Sequence, residues 1–503
     1  MTTSTDGLIR RCAMLVANDV SSDSRVQKSA QSISDLGIDV TIFGIQSGTR
    51  APNDTHSGYR IVRLGNPAVL LNRQTSKLQI RLSRWERFLN VPLSGVKLLI
   101  GYDPRDSRHA SRRRKSKRFN QFDRRYIHFK EGSKRTGLNT GTAFAHLVKA
   151  KSASSAGYAS AGLERLALVY SRQVKALLRR LEANHEAKRA LAALRDYQLV
   201  FVDAVIDYRP DIVWAHDYHS MSSATVAAAV LAEKGFEAKL IYDAHEFVAG
   251  IANLSPPTIK ALQRYEADHI GGFDNIVTVS EPLAALLEER YEVEGVLVNH
   301  NSPSMHDNKP SNIALRVPGP VSEINPIVVY SGNIAPQRGI ADLIGALNLL
   351  PEWQLVVVSP ESKAAARQPI EILARELGVI NRVHFAPYVD REMIADYLST
   401  ATVGASCLVS GPINHEVALP NKLFEYLRAG LPVVVSARRA QANFVQRYGV
   451  GNIYESGNTQ QLANALLQSA ELRQDDDFHI RLQQVNIKYS WESNAPNFER
   501  LCS

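Results

Sequence analysis

The chain alternates short apolar runs with longer amphipathic stretches. Residues 12–19, CAMLVAND, form an apolar run that ends in polar residues, the pattern of a strand buried on both faces of a parallel sheet. In the following segment Val26, Ala30, Ile33 and Leu36 share one helical face, with Asp23 or Ser24 placed to cap the helix and Gly37 to stop it. IDVTIFGI, residues 38–45, is a second apolar, β-branched run, so the opening predicts a βαβ unit with a right-handed crossover. The rhythm lapses from about residue 67 to 195 and returns with DIVWAHD (211–217), an Ala-rich helix, AKLIYDAHE (238–246) and FDNIVTVS (273–280). Pro303 and HDNKPSN mark a linker near 302–320. A second series then begins at NPIVVYSGNI (325–334) and runs through ADLIGALNLL, WQLVVVS, RVHFAPY, MIADYLST, VGASCLVS, KLFEYLRAG and PVVVS.

Two such series predict an α/β fold of two facing, Rossmann-like, doubly wound domains. The expected boundaries are residues 1–305 with a helical, basic insertion at about 67–195, residues 320–478, and a C-terminal stretch over 479–503 whose final helix, after Trp491, returns to the first domain. Ligands of such sheets bind at the carboxyl ends of the strands, so the cleft between the domains is the expected site.

Within the insertion, Leu78, Leu82, Trp85 and Leu89 fall on one helical face with Lys77, Arg81, Arg84 and Arg87 around it, and a long helical pattern covers 163–206. Composition adds little to this picture until charge is located: 45% hydrophobic and 22% charged residues describe a globular chain. The net charge of +9 arises in one place, because residues 105–135 hold thirteen Lys or Arg against Asp106, Asp123 and Glu131. A local arm of this kind suits an anionic membrane surface, reached through residues 77–135, or free solvation; it argues against a nucleic-acid partner, which calls for a basic face across the fold. No run of eighteen apolar residues occurs and MTTSTDGLIRR carries no apolar leader, so a cytoplasmic location is expected, with the basic arm available to the inner face of the plasma membrane. Cys12, Cys407 and Cys502 form no CxxC pair, which predicts core packing, or simple exposure for Cys502, and neither disulfide nor zinc site.

No GxGxxG follows the first strand, and GxxxxGK[ST] and HExxH are absent, so dinucleotide, P-loop and zinc chemistry lack support and no metal or cofactor is expected. ALPNKLFEYLRAGLPVVVS, residues 418–436, is more informative. Pro420 opens a turn, Asn421 is placed to cap, a short helix follows whose amino terminus suits a phosphate, and Gly430 with Pro432 ends it. Glu425 lies one turn into that helix.

This stretch resembles the donor-binding signature of family 4 glycosyltransferases (glycosyltransferase group 1), whose GT-B fold faces two Rossmann-like domains across a cleft. VANDVSSDSRVQKSAQSISDLGIDVTIFG, DIVWAHD, IYDAHEF, VTVSEPLAALL, VVYSGNI with Arg338 and Gly339, FAPYVDREMIADYLSTATVGASCL and YSWES fall in the family's order. The resemblance implies transfer of a sugar from a nucleoside diphosphate sugar to a hydroxyl on a glycan or lipid-linked acceptor, with retention, in polysaccharide or glycolipid assembly. A nucleotide-sugar 2-epimerase shares the architecture and is the alternative. By the same resemblance Glu425 binds the nucleotide ribose; Gly332, Arg338, Lys422 and Leu423 meet the donor diphosphate, Arg338 standing where lysine is customary; and His245 lies near the transferred sugar. Arg338 and His245 are thereby the catalytic candidates, the arginine because a fixed cation stabilises a departing diphosphate. Asp23, Arg25, His216 and Asp217 are candidates for acceptor or phosphate contacts. The chain departs from the family at Asn333, where arginine is common, and at Val417, where glutamate is common.

Overall fold

The computed structural model describes residues 10–65 apart from 22, 48 and 49; 184 and 186–310 apart from 308; 315; and 325–503 apart from 361–365. The amphipathic stretch 77–89, the basic arm 105–135 with its expected membrane contact, and most of the helical pattern 163–206 lie outside the described residues.

The first sheet is built from β1 (Arg11–Leu15), β2 (Asp39–Ile45), β3 (Asn53–Thr55), β4 (Tyr59–Leu64), β5 (Ile212–His216), β6 (Lys239–Ala244), β7 (Asn275–Thr278) and β8 (Leu297–Val298). Their order is β3-β4-β2-β1-β5-β6-β7-β8, with β3 antiparallel to β4 and every other pair parallel. Residues 12–15 and 212–216 are wholly buried, as an apolar run without alternation requires between two layers of helices. The chain's winding reverses between β1 and β5, where Cys12 pairs with Ile212 and Leu15 with Ala215. Its helices are α1 (Ser24–Asp35), α2 (residues 186–208), α3 (Asp217–Glu233), α4 (Pro256–Ile270) and α5 (Glu281–Tyr291). Of the two candidate caps, Asp23 holds the position, accepting from the Val26 N–H.

Two features of this domain differ from the sequence pattern. The β3–β4 hairpin went unpredicted because β4 turns a charged residue inward. Arg63 is 6% exposed and donates to the carbonyls of Asp19 and Ala51 and to Asp54, which satisfies the guanidinium but breaks the apolar alternation. The first domain also resumes before residue 195, the expected end of the insertion: α2 already buries Leu194, and further on Phe201 and Val205, against it.

The second sheet comprises β9 (Ile327–Ser331), β10 (Gln354–Val358), β11 (Val383–Ala386), β12 (Val403–Ser406), β13 (Val433–Ser436) and β14 (Gly451–Tyr454). All its pairs are parallel, in the order β11-β10-β9-β12-β13-β14, so its switch point lies between β9 and β12. Helices α6 (Ile340–Leu349), α7 (Gln368–Glu376), α8 (Ile394–Leu398), α9 (Ile413–Val417), α10 (Asn421–Arg428), α11 (Arg439–Tyr448) and α12 (Thr459–Leu472) complete it. The edge strand β14 lacked an apolar run because it opens on glycine. A Cβ on Gly451 would sit 1.8 Å from the Val433 carbonyl oxygen, so no larger residue fits.

The second domain runs on past residue 478, and the final helix returns to the first domain after Trp491 as expected. Helix α13 (Asp476–Lys488) still belongs to the second domain, where Phe478, Leu482 and Val485 enter the core with Leu423 and Leu427 of α10. The crossing is made by Trp491–Asn494, and α14 (Ala495–Cys502) then sets Phe498, Leu501 and Cys502 against Cys12 and Trp214 of the first domain. Cys502 is therefore buried, not exposed, at 4%. Trp491 pins the crossing by donating from Nε1 to Ser32 Oγ at 2.9 Å. A second tie is the buried hydrogen bond from Ser280 Oγ at the start of α5 to the Val417 carbonyl, 2.7 Å. Among the described residues no helix is long and apolar enough to cross a membrane.

Candidate active site

At the switch point of the first sheet, parallel register sets His216, the last residue of β5, opposite Asp243 of β6. Asp243 is fully buried and gripped by Arg25 from α1, whose Nη2 and Nε reach its oxygens at 2.6 and 3.0 Å. The remaining Arg25 nitrogen, Nη1, donates to the Asn299 carbonyl at 2.6 Å. Burial raises the Asp243 pKa, but the Arg25 charge and then the His216 hydrogen bond overturn that and hold the carboxyl well below its ordinary range. His216 Nδ1 lies 3.2 Å from both Asp243 Oδ2 and His245 Nε2. Burial depresses the His216 pKa, and its Nε2 is buried without a partner among the described residues. The neutral tautomer protonated at Nδ1 leaves only a lone pair there, the cheaper group to orphan.

His245 follows β6 directly, and its side chain keeps 23% of its surface exposed, against none for His216. Burial opposes protonation of His245, yet the hydrogen bond and charge of Asp243 outweigh it and raise its pKa. Beside it, Glu246 is carried up to about 7 by burial and then by the charge of Asp217. Asp217 adopts the left-handed region, φ 60°, at the first residue of α3, a conformation that costs a non-glycine residue on the order of 1 kcal/mol or more. Burial would raise its pKa, but hydrogen bonding and charge from His219 lower it, and its Oδ1 accepts from the Tyr218 N–H at 3.0 Å.

Arg25 and His216, candidates for substrate contact from the sequence, are 3% and 0% exposed. Their burial makes them supports that fix Asp243, which in turn holds His245. Asp23 is likewise committed, to the Val26 N–H and to Asn18 Nδ2. The polar atoms of His216, Asp243 and His245 lie within 4.8 Å of one another, a spacing compatible with a metal ion. Arg25 already neutralises Asp243 inside that cluster, so a divalent cation there would sit against a buried guanidinium.

The second domain faces this with a cationic site. Gly332, just past β9, has φ 128°, a region closed to other residues, and a Cβ on it would come within 3.3 Å of Lys422 Nζ. Lys422 lies in the first turn of α10, its ammonium 3.6 Å from the centre of the Tyr330 ring. Arg338 closes a short 3₁₀ turn, Pro336–Arg338, locked by Gly339, where a Cβ would meet the Cys407 carbonyl at 1.9 Å. Among the described residues neither cation has a carboxylate within ion-pair distance. Burial and then repulsion from Arg338 lower the Lys422 pKa to about 7.

The N-cap of α10 is Pro420, and Asn421 is the first helical residue rather than the cap. The Leu423 N–H is spent on the Pro420 carbonyl at 2.9 Å, which leaves the amides of Asn421 and Lys422 as the open donors of the first turn. One turn on, Glu425 is half-buried; burial raises its pKa against the pull of Lys422 and Lys28, and Tyr388 hydrogen-bonds it. Glu416 does not stand in for the absent carboxylate at 417, since it is turned to Arg438 Nη1 at 2.6 Å and the Arg439 N–H at 3.0 Å.

Sequence reasoning missed Asn414 of α9 and Lys28 of α1. Asn414 spans the two domains, accepting from the Phe247 N–H at 2.9 Å and donating to the Phe247 carbonyl at 3.0 Å and to Glu246 Oε2 at 3.2 Å. Lys28 donates to the Ser302 carbonyl at 2.6 Å. Neither belongs to a periodic or compositional pattern, and only tertiary contact singles them out.

Residues 314–480 match the family described as "Glycosyl transferases group 1", and residues 149–301 match "Glycosyl transferase 4-like domain". A D-inositol 3-phosphate glycosyltransferase from Xylanimonas cellulosilytica is 26% identical over 247 residues, covering 45% of this chain. The match spans 55% of that relative's own length. Among solved structures, a sucrose-phosphate synthase from Thermosynechococcus elongatus is similar over 98% of each chain with a TM-score of 0.60 at 15% identity. A glycosyltransferase from Rickettsia africae ESF-5 aligns over 98% of this chain and 99% of its own with a TM-score of 0.52 at 13% identity. At these identities the likeness is one of fold, the GT-B arrangement of two parallel-sheet domains.

Proposed function

Since the chain belongs to the group 1 glycosyltransferases, we propose that it moves a hexosyl unit from a nucleoside diphosphate sugar to a hydroxyl of a glycan or lipid-linked acceptor, with retention at the anomeric carbon. Polysaccharide or glycolipid assembly is the setting that such an acceptor implies. One observation carries the reading: Arg338 and Lys422, two cations without carboxylate partners among the described residues, act on one another across the loop after β9 and the first turn of α10, with Glu425 one turn further on.

That arrangement suits a nucleoside diphosphate. Lys422 and the first amides of α10 hold the diphosphate, and Glu425 accepts from the ribose hydroxyls. Arg338 stands by the oxygen on which charge develops as the glycosidic bond breaks, so its contribution grows toward the transition state. The acceptor hydroxyl attacks the anomeric carbon from the face the phosphate leaves, and its proton passes to the departing phosphate oxygen. No side chain serves as nucleophile, and the reaction uses no cofactor beyond the donor itself. His245, held through Nε2 by the Asp243 cluster and still partly exposed, hydrogen-bonds the transferred sugar.

A thermal-shift series of nucleoside diphosphate sugars tests this. The correct donor at a hundred times its dissociation constant stabilises by about 2.7 kcal/mol. A protein that no nucleoside diphosphate sugar stabilises would contradict the reading.

A further inference from the structure

Beside the cationic site an open cavity of about 920 Å³ lies between the two domains, a size within the range of small-molecule sites. The first domain lines it with Phe247, Ile251 and Ile259, and the second closes it with Ile413. Its polar groups are the uncharged amides of Asn253, Gln263 and Gln337; among the described residues no charged side chain lines it. This is a sharp change from the adjoining cleft, where Arg338, Lys422, Glu246, Asp217 and His245 gather. The two regions are continuous in the chain: Phe247 follows Glu246, and Gln337 precedes Arg338.

The walls are held in place. Asn414 ties α9 to Phe247, and Gly250 meets α9 so closely that a Cβ there would fall 2.2 Å from Ile413 Cγ2.

We infer that this cavity is an acceptor subsite that receives an uncharged, aliphatic portion of the acceptor while the acceptor hydroxyl reaches the sugar between His245 and Arg338. A charged or phosphorylated group finds no counter-charge in the lining and would lose its hydration without compensation, whereas an alkyl chain is favoured there by burial. The three amides accommodate the linking oxygens of a glycoside or ester at the mouth. The inference rests on the cleft being the place of sugar transfer, and it adds the class of group attached to the acceptor.

The test uses n-octyl β-D-glucoside below its micellar concentration and D-glucose as the polar control, on protein with labelled isoleucine methyl groups. The octyl glucoside is expected to shift the methyl signals of Ile251, Ile259 and Ile413 saturably, and glucose at the same concentration to leave them in place. Ile259→Trp projects an indole into the cavity and narrows it, and is expected to weaken octyl glucoside binding by more than about tenfold while nucleoside diphosphate binding stays as in the wild type. Ile413→Ala removes a part-exposed wall and is expected to weaken it by several-fold, which keeps the test decisive if the tryptophan variant misfolds. Equal responses to octyl glucoside and glucose, or unchanged octyl glucoside affinity in Ile413→Ala, would overturn the inference. A protein that binds octyl glucoside at these methyls but no nucleoside diphosphate would instead overturn the transferase reading and leave the subsite standing as an apolar site.

Discussion

Asn414 of the second domain grips both backbone polar groups of Phe247 in the first, accepting from its N–H at 2.9 Å and donating to its carbonyl at 3.0 Å. The same amide nitrogen reaches Glu246, so one short side chain bridges the two halves of the cleft beside the Ser280–Val417 tie. Asn414→Ala leaves the Phe247 N–H without its acceptor, while the Phe247 carbonyl keeps its bond from the Gly250 N–H, and is expected to cost about 1–3 kcal/mol of alignment. Turnover should fall about tenfold or more, with nucleotide affinity nearly unchanged because the diphosphate and ribose contacts lie within the second domain. Steady-state kinetics beside a nucleotide titration checks this, and unaltered turnover would count against the latch.

Glu425 offers the second domain's ribose contact and contributes little to its core, being partly exposed on the cleft side of α10. Glu425→Ala should weaken nucleoside diphosphate binding by about tenfold to a hundredfold, the worth of one or two hydrogen bonds to a charged acceptor. The circular dichroism melt of the free protein should stay close to wild type. Calorimetric titration decides, and wild-type affinity in the variant would remove Glu425 from the site.

Much of this architecture is written in local pattern, and the exceptions have a common cause. The apolar runs at β1, β5, β6, β9, β10 and β13 are buried on both faces, so each declares itself without context. Strand β4 hides an inward Arg63, and β14 needs a glycine against Val433, so neither shows an apolar run. The site divides the same way. Gly332, Arg338, Lys422 and Glu425 sit in short motifs at strand ends, where a local motif foretells a location. The burial of Arg25 and His216 and the bridging by Asn414 arise from partners 218, 29 and 167 residues away in sequence, which no local window contains.

Lys422 makes donor binding sensitive to pH. Burial and the neighbouring Arg338 bring its pKa down to about 7 in the free protein, so its charge is largely present at pH 6 and declines as pH rises. Only the charged form attracts the diphosphate, so affinity should fall between pH 7 and 9, with proton uptake on binding at the upper end. Lys422→Met should bind more weakly at pH 6 and lose part of that pH dependence; Lys28, also lowered to about 7 by burial and then by Arg391, accounts for a remainder. Titrations of the nucleoside diphosphate at pH 6, 7.5 and 9 measure this, and identical pH profiles for wild type and Lys422→Met would exclude the role.

Glu266 couples the first domain's stability to pH independently of the cleft cations. It is fully buried, and Tyr242 and Tyr291 both donate to its carboxyl. Burial lifts its pKa to about 7 against the lowering by those hydroxyls, with Asp217 and Glu246 adding repulsion. Between its ordinary value and about 7 the folded chain holds a proton that the unfolded chain has released. This contribution is therefore complete at acid pH and is lost as pH rises through about 7, on the order of 3 kcal/mol across the window. Glu246 acts with the same sign. Glu266→Gln should flatten the decline in unfolding free energy from pH 5 to 7.5 measured with urea, and an unchanged slope would show that the carboxyl titrates normally.

The most direct measurement follows one reaction in two variants: anomeric-proton NMR of a nucleoside diphosphate sugar mixed with an alkyl glycoside acceptor, with wild-type protein and with Arg338→Ala. Wild type is expected to convert the donor to nucleoside diphosphate and a new glycoside of the donor's own anomeric configuration. Arg338→Ala should do so about a hundredfold to a thousandfold more slowly at similar donor affinity, because the lost cation acts on charge that develops at the leaving diphosphate. A product of opposite configuration, or a full rate without the Arg338 guanidinium, would contradict this expectation.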